Sequence, residues 1–218
     1  MKKLLAIAAA SIAAGAFSTA ANAAVLDFAA FAAGNEHGID NGDSLTFDGV
    51  SVTFVANDGF HPYFDDEISG RPSGLGVCRE LTGSLQCKDS SDDSADGDLG
   101  TDEFIKILFD DGPFDVRNIS FRDGEHFDLN GDDTGMVTWS TFDDMGGLVA
   151  SGDDTFADVV AMALSGFFDG VDGIGFEYVD TEFYVEAISD VPLPAALPLL
   201  LSGIAGLGFA SRRKKKVV

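Results

Sequence analysis

The chain has 218 residues, with 37 Asp and Glu against 13 Lys and Arg, a formal charge of −24. Two of the basic residues are Lys2 and Lys3, five form Arg212–Lys216 and six lie between, so the span 24–190, which holds all 37 acids, carries −31. Such a surface repels nucleic acid and anionic membranes and suits solvation, divalent cations or cationic partners, while the 19 Phe supply enough apolar area for a core and argue against disorder.

The first element is a targeting segment. Met1-Lys2-Lys3 is a short basic stretch, Leu4 to Phe17 is an apolar run, and Ala21-Asn22-Ala23 places small residues where a signal peptidase reads them. The pattern predicts a secretory signal peptide over 1–23, cut after Ala23. The body, 24–190, is long enough for one domain with its own core.

Within the body, Leu45-Thr-Phe-Asp-Gly-Val-Ser-Val-Thr-Phe-Val predicts a hairpin. Asp48-Gly49 is a two-residue turn signal that favours positive φ, and it sets Phe47 opposite Val50 and Leu45 opposite Val52. Cross-strand partners share a face, so these four side chains and Phe54 form one apolar row. Cys78 and Cys87, an even pair in an exported body, predict a disulfide. Closing so short a loop is worth about 2–3 kcal/mol in the chain-entropy account. Asp89–Glu103 is too acidic to pack and is expected to be an exposed loop that calcium would order.

Phe104-Ile-Lys-Ile-Leu-Phe is apolar on both faces except at Lys106 and is expected to be a central strand. Further strands are expected at Val116–Phe121, Gly135–Phe142, Gly173–Val179 and Phe183–Ile188, and Phe156–Leu164 reads as either strand or helix. Eight or nine short strands between polar turns predict an all-β protein, an antiparallel β-sandwich of jelly-roll type.

Asp128-Leu-Asn-Gly-Asp-Asp-Thr offers oxygen ligands at Asp128, Asn130, Asp132 and Thr134, as in the first half of an EF-hand loop. The sixth position is Asp133 where Gly is required, and the twelfth is Trp139 where Glu is required, so a complete EF-hand is excluded. A looser calcium site assisted by Asp123 or Glu125 and a solvated Asx turn are both open readings, and calcium is the one cofactor the sequence suggests. Catalysis finds little support. His37, His61 and His126 are scattered, there is no Gly-x-Ser-x-Gly elbow or phosphate loop, and among so many acids a carboxylate pair carries no information. Of the three, His126, flanked by Glu125 and Asp128, is the one candidate, and a strand-end or loop histidine is the plainer reading. Trp139 and the Tyr63-Phe64 pair have the chemistry to stack on sugar rings, or to serve as core.

The C-terminal segment 191–218 has three parts. Pro192, Pro194 and Pro198 hold the chain extended, Leu199–Ala210 can reach across much of a bilayer, and Arg212–Lys216 stays cytoplasmic by the positive-inside rule. Val191-Pro192-Leu193-Pro194-Ala195, the Leu-Leu-Leu-Ser-Gly at 199–203 and the basic cluster together resemble the PEP-CTERM sorting domain in its VPLPA form. That resemblance covers 191–216 and implies recognition by an exosortase, removal of the tail, and delivery to the cell surface or an exopolysaccharide matrix. The partners implied are signal peptidase, an exosortase and exopolysaccharide, with no nucleic acid and with membrane contact only through the tail. The expected function is that of a non-catalytic surface or matrix protein that binds calcium or carbohydrate; a secreted polysaccharide hydrolase is the alternative.

Overall fold

The computed structural model describes residues 24–190 except 67, 89–92 and 98–99. The signal peptide over 1–23 and the sorting tail over 191–218 lie outside the described residues. Among the described residues, no helix is long and apolar enough to cross a membrane.

Among the described residues, fourteen strands and two helices follow one another as β1 (Val25–Asp27), α1 (Phe28–Ala32), β2 (His37–Gly38), β3 (Ser44–Phe47), β4 (Val50–Ala56), β5 (His61–Asp65), β6 (Gly74–Cys78), β7 (Phe104–Phe109), β8 (Phe114–Val116), β9 (Asn118–Asp123), β10 (Met136–Phe142), β11 (Leu148–Thr155), α2 (Phe156–Ser165), β12 (Phe168–Val171), β13 (Gly173–Tyr178) and β14 (Phe183–Ser189). All strand pairings are antiparallel. One six-stranded sheet runs β1-β14-β6-β5-β2, with β9 also paired to β14; a second runs β11-β10-β13-β7-β4-β3; β12 and β8 form a small ribbon. The protein is all-β, as its alternating segments require.

The expected hairpin is β3–β4, with Phe47 paired to Val50 and Leu45 to Val52. Asp48 and Gly49 both take positive φ, +47° and +87°, as a tight turn between right-twisted strands demands. The strand at Phe104–Phe109 is central, held between β13 and β4. Its Ile105, Ile107 and Phe109 face the core, while Lys106 lies over the Phe142 ring and donates to Gly146 O.

The open segment at Phe156–Leu164 winds as α2. Thr155 Oγ1 accepts from Asp158 N at its start, Gly166 closes it in the left-handed region at φ +84°, and Phe156, Val159 and Ala163 form its buried face. That spacing is the helical one, and it outweighs the β preference of the Val159-Val160 pair.

The two large sheets share one hydrophobic core. At one end, Phe28 of α1 meets Phe54 of the second sheet and Phe64 of the first; at the other, Phe121 and Phe183 of the first sheet meet Phe176 of the second and Phe156 of α2. Edge-to-face pairs of this kind add about 0.5–1.5 kcal/mol each beyond area burial.

The stretch Asp89–Glu103 corrects an expectation in part: Ser94, Ala95, Asp96 and Glu103 are buried and Ala95 exchanges backbone hydrogen bonds with Phe183, while Gly100, Thr101 and Asp102 are exposed as expected. Arg79 Nε donates to Glu103 Oε1 at 2.9 Å and its guanidinium lies 3.8 Å from Asp96, so a cation and a backbone bridge let an acidic segment bury. With that cover in place, β6 is buried along its whole length.

Candidate functional site

Asp128 Oδ1 accepts from Asn130 N, Asn130 Oδ1 from Phe121 N, and Asp132 Oδ1 from both Thr134 N and Thr134 Oγ1. Asp132 also takes Gly135 N, and the bonds from Thr134 hold its carboxyl below the ordinary range. These oxygens thus cap backbone amides, the work of an Asx turn. Asp123 is similarly engaged, accepting from Glu125 N and Phe127 N, and with Glu125, Asp180 and Glu182 it lines an open acidic cleft of about 390 Å³.

The sugar-stacking candidates are placed otherwise. Tyr63 and Phe64 are sealed from solvent, and Trp139 is buried with its Nε1 donating to Asp154 Oδ2 at 2.8 Å. None of the three presents a ring face to a ligand. A disulfide joins Cys78 to Cys87, as expected.

A different constellation forms on the outer face of the first sheet. Strand period places Pro62 and Phe64 of β5 toward the core and Tyr63 and Asp65 outward. Beside Asp65 and Tyr63, β6 offers Gly74 and Gly76 on that face, with Cys78 beyond them at the strand end, so the floor between β5 and β14 is bare there. A Cβ on Gly76 would stand 2.0 Å from Asp93 O and 2.9 Å from the Tyr184 ring, so the missing side chain is what admits the covering segment.

Over this floor, carboxylate oxygens of Glu36, Asp65 and Asp93 all lie within 4.8 Å of one another. Each has an aromatic ring behind it. Tyr63 donates its hydroxyl to Glu36 Oε1, Tyr184 donates to Asp93 Oδ1 at 2.6 Å, and His126 Nε2 lies 2.9 Å from Asp65 Oδ2. His126 is held by its other nitrogen, which is 3.0 Å from Arg71 O and 3.3 Å from Ile68 N, and its ring packs edge-on to Tyr184. It adopts φ +64°, a left-handed backbone for a residue with a side chain, in a turn closed by its own amide on Asp123 O.

Burial, and then the neighbouring charges of Asp93 and Glu36, push the Asp65 carboxyl from 3.8 up to about 7, against the lowering bond from Ser73. Burial and the bond to Glu36 push the Tyr63 hydroxyl well above its ordinary range. Chemically, such a pocket can hold a proton near neutrality or share a cation among three oxygen ligands.

His126 was visible in the sequence, but its partner was not: its nearest acids along the chain are Glu125 and Asp128, whereas its ring reaches Asp65. Glu36, Asp65 and Asp93 carry no motif. No family model, no curated protein and no solved structure matches the chain.

Proposed function

We propose that the chain is an exported, exosortase-sorted and non-catalytic protein of the cell surface or exopolysaccharide matrix, with a jelly-roll-like sandwich as its body. The observation that carries this reading is the order of parts at 191–216: proline motif, apolar segment, basic cluster. The charge distribution supports it. The basic ends are the parts that processing would remove, and what is left carries six basic residues against 37 acids, suited to a hydrated, cation-rich matrix. Within it the body binds calcium or carbohydrate, and the turn at Asp128, Asn130, Asp132 and Thr134 is the calcium candidate read from sequence alone. Intact-mass measurement on the protein from its native host tests the address. Loss of 1–23 and of the segment beyond the proline motif is the expected result; an unprocessed C-terminus rejects exosortase sorting.

One observation favours a second reading, a secreted polysaccharide hydrolase. Asp65, with its carboxyl near 7, stands beside two further carboxylates, and glycoside hydrolysis needs one protonated and one ionised carboxyl. Incubation with a panel of polysaccharides separates the two: released oligosaccharide supports the hydrolase, and retention without products supports the binding protein.

A further inference from the structure

We infer that Glu36, Asp65 and Asp93 form a calcium site that ties the covering segment to the outer face of the first sheet. The inference rests on the export reading for its supply of calcium, since extracellular modules work at millimolar concentrations.

Three acids in proximity would not be enough on their own. The second observation is Asp65 Oδ2, an atom shut away from solvent in a residue only 7% exposed, with no hydrogen-bond donor in bonding geometry among the described residues. A buried carboxylate oxygen left in that condition is costly unless a proton or a cation meets it. His126 Nε2, equally enclosed, approaches it at 2.9 Å but off hydrogen-bond geometry.

Charge leads to the same ion. When ionised, the three carboxylates bring −3, and His126, if protonated, brings at most +1, which leaves a deficit matched by one divalent cation. The donor set is oxygen from carboxylates, which selects a hard cation, and oxygens within 4.8 Å of one another fit ligands at the 2.3–2.6 Å bond lengths of calcium. Ligand orientation is already set. Tyr63 steadies Glu36, Tyr184 steadies Asp93 and His126 backs Asp65, the arrangement by which outer partners fix metal ligands. The three ligands come from separate stretches of chain: the approach to β2, the end of β5, and the segment laid over Gly76. One ion therefore closes contacts that are otherwise held apart by like charge.

The test uses the full-length chain, purified in detergent after chelation, with calcium or with magnesium at equal ionic strength. Calcium raises the melting temperature more than magnesium does, and Glu36→Gln and Asp93→Asn each abolish that rise. The combined Asp58→Asn, Asp144→Asn variant, at two exposed acids outside the triad, keeps it. Because the two triad variants remove a repulsive charge, both are expected to melt no lower than the parent in chelator, which separates lost binding from lost folding. A second readout is terbium luminescence: Tyr63 and Tyr184 sensitise bound terbium, calcium displaces it, and the Tyr63→Phe, Tyr184→Phe double variant loses the emission while weakening calcium by about tenfold. An unchanged melt with calcium, a rise that survives both triad variants, or emission that survives loss of both tyrosines overturns the inference. Any of these would leave the export reading standing, because the host-derived mass is measured separately.

Discussion

His126 Nε2 stands 2.9 Å from Asp65 Oδ2, with both atoms enclosed and neither in a hydrogen bond. The histidine reaches this position from a left-handed turn residue at φ +64°, and the aspartate from the last position of β5. The pair therefore depends on the loops that cover the sheet, and the protonation of Asp65 is part of the stability of that cover.

The consequence is a stability that falls with rising pH. Burial is the main cause that lifts Asp65 from 3.8 and Glu103 from 4.5, each to about 7; for Glu103 the bond from Arg79 pulls the other way and does not prevail. Between those values the folded chain holds protons that the unfolded chain has released, so stability is greatest below the unfolded values and is lost as pH climbs through about 7. In chelator, denaturant midpoints are expected to be higher at about pH 5 than at about pH 8, with a shallower slope in Asp65→Asn. Calcium counters the Asp65 part of the trend, because it competes with protons for that carboxylate, and leaves the Glu103 part in place. A chelated protein that gains stability as pH rises would refute the burial of these two acids in the folded state.

The bare floor of the site makes a packing prediction. Gly76→Ala puts a Cβ 2.0 Å from Asp93 O, a backbone atom that cannot turn aside as a side chain would. The covering segment must lift, at a cost of about 1–3 kcal/mol typical of overpacking. Gly83→Ala, with no heavy atom within 4 Å of the added carbon, is the control and is expected to be nearly neutral. Equal melting temperatures for the two variants would mean that the segment does not lie on β6 in solution.

The identity of α2 is tested at its cap. Thr155 Oγ1 accepts from Asp158 N at 3.1 Å, and Thr155→Ala removes that acceptor and costs about 1 kcal/mol. Thr155→Ser retains it and is expected to lose much less. A strand in this place would not separate the two variants, since alanine and serine are both poorer than threonine on a pleated surface.

The contrast between α2 and the β3–β4 hairpin shows what could be read from sequence. In the hairpin, turn chemistry at Asp48-Gly49 and the apolar period agree, so register follows from local rules. In α2 the local preferences conflict, and the outcome rests on the cap at Thr155, the glycine at 166 and a core that receives Phe156, Val159 and Ala163. The acidic triad was beyond local reading altogether. Its members are 29 and 28 positions apart in a chain with 37 acids, and only sheet order brings Glu36, Asp65 and Asp93 together. The burial of Glu103 was hidden for the same reason, because its partner Arg79 lies 24 residues away. Composition described these segments as solvated, whereas pairing across the fold decided otherwise.

The disulfide connects stability to the site. Cys78 ends β6 just beyond the glycine floor, and Cys87 closes a loop whose Leu85 O accepts from Gly38 N and whose Gln86 Nε2 donates to Glu36 O. Removing the bond frees that loop and, with it, one support of the Glu36 backbone. The Cys78→Ser, Cys87→Ser double variant is expected to lose about 2–3 kcal/mol, as closure of a short loop implies. It is also expected to bind calcium about tenfold more weakly, the amount that loss of an outer support usually brings. The two effects separate by measurement: denaturant midpoints in chelator report the first, and calcium titration well below the melting temperature reports the second. A variant that is destabilised but titrates like the parent would show that Glu36 is positioned by Tyr63 alone, and would detach the disulfide from the cation site.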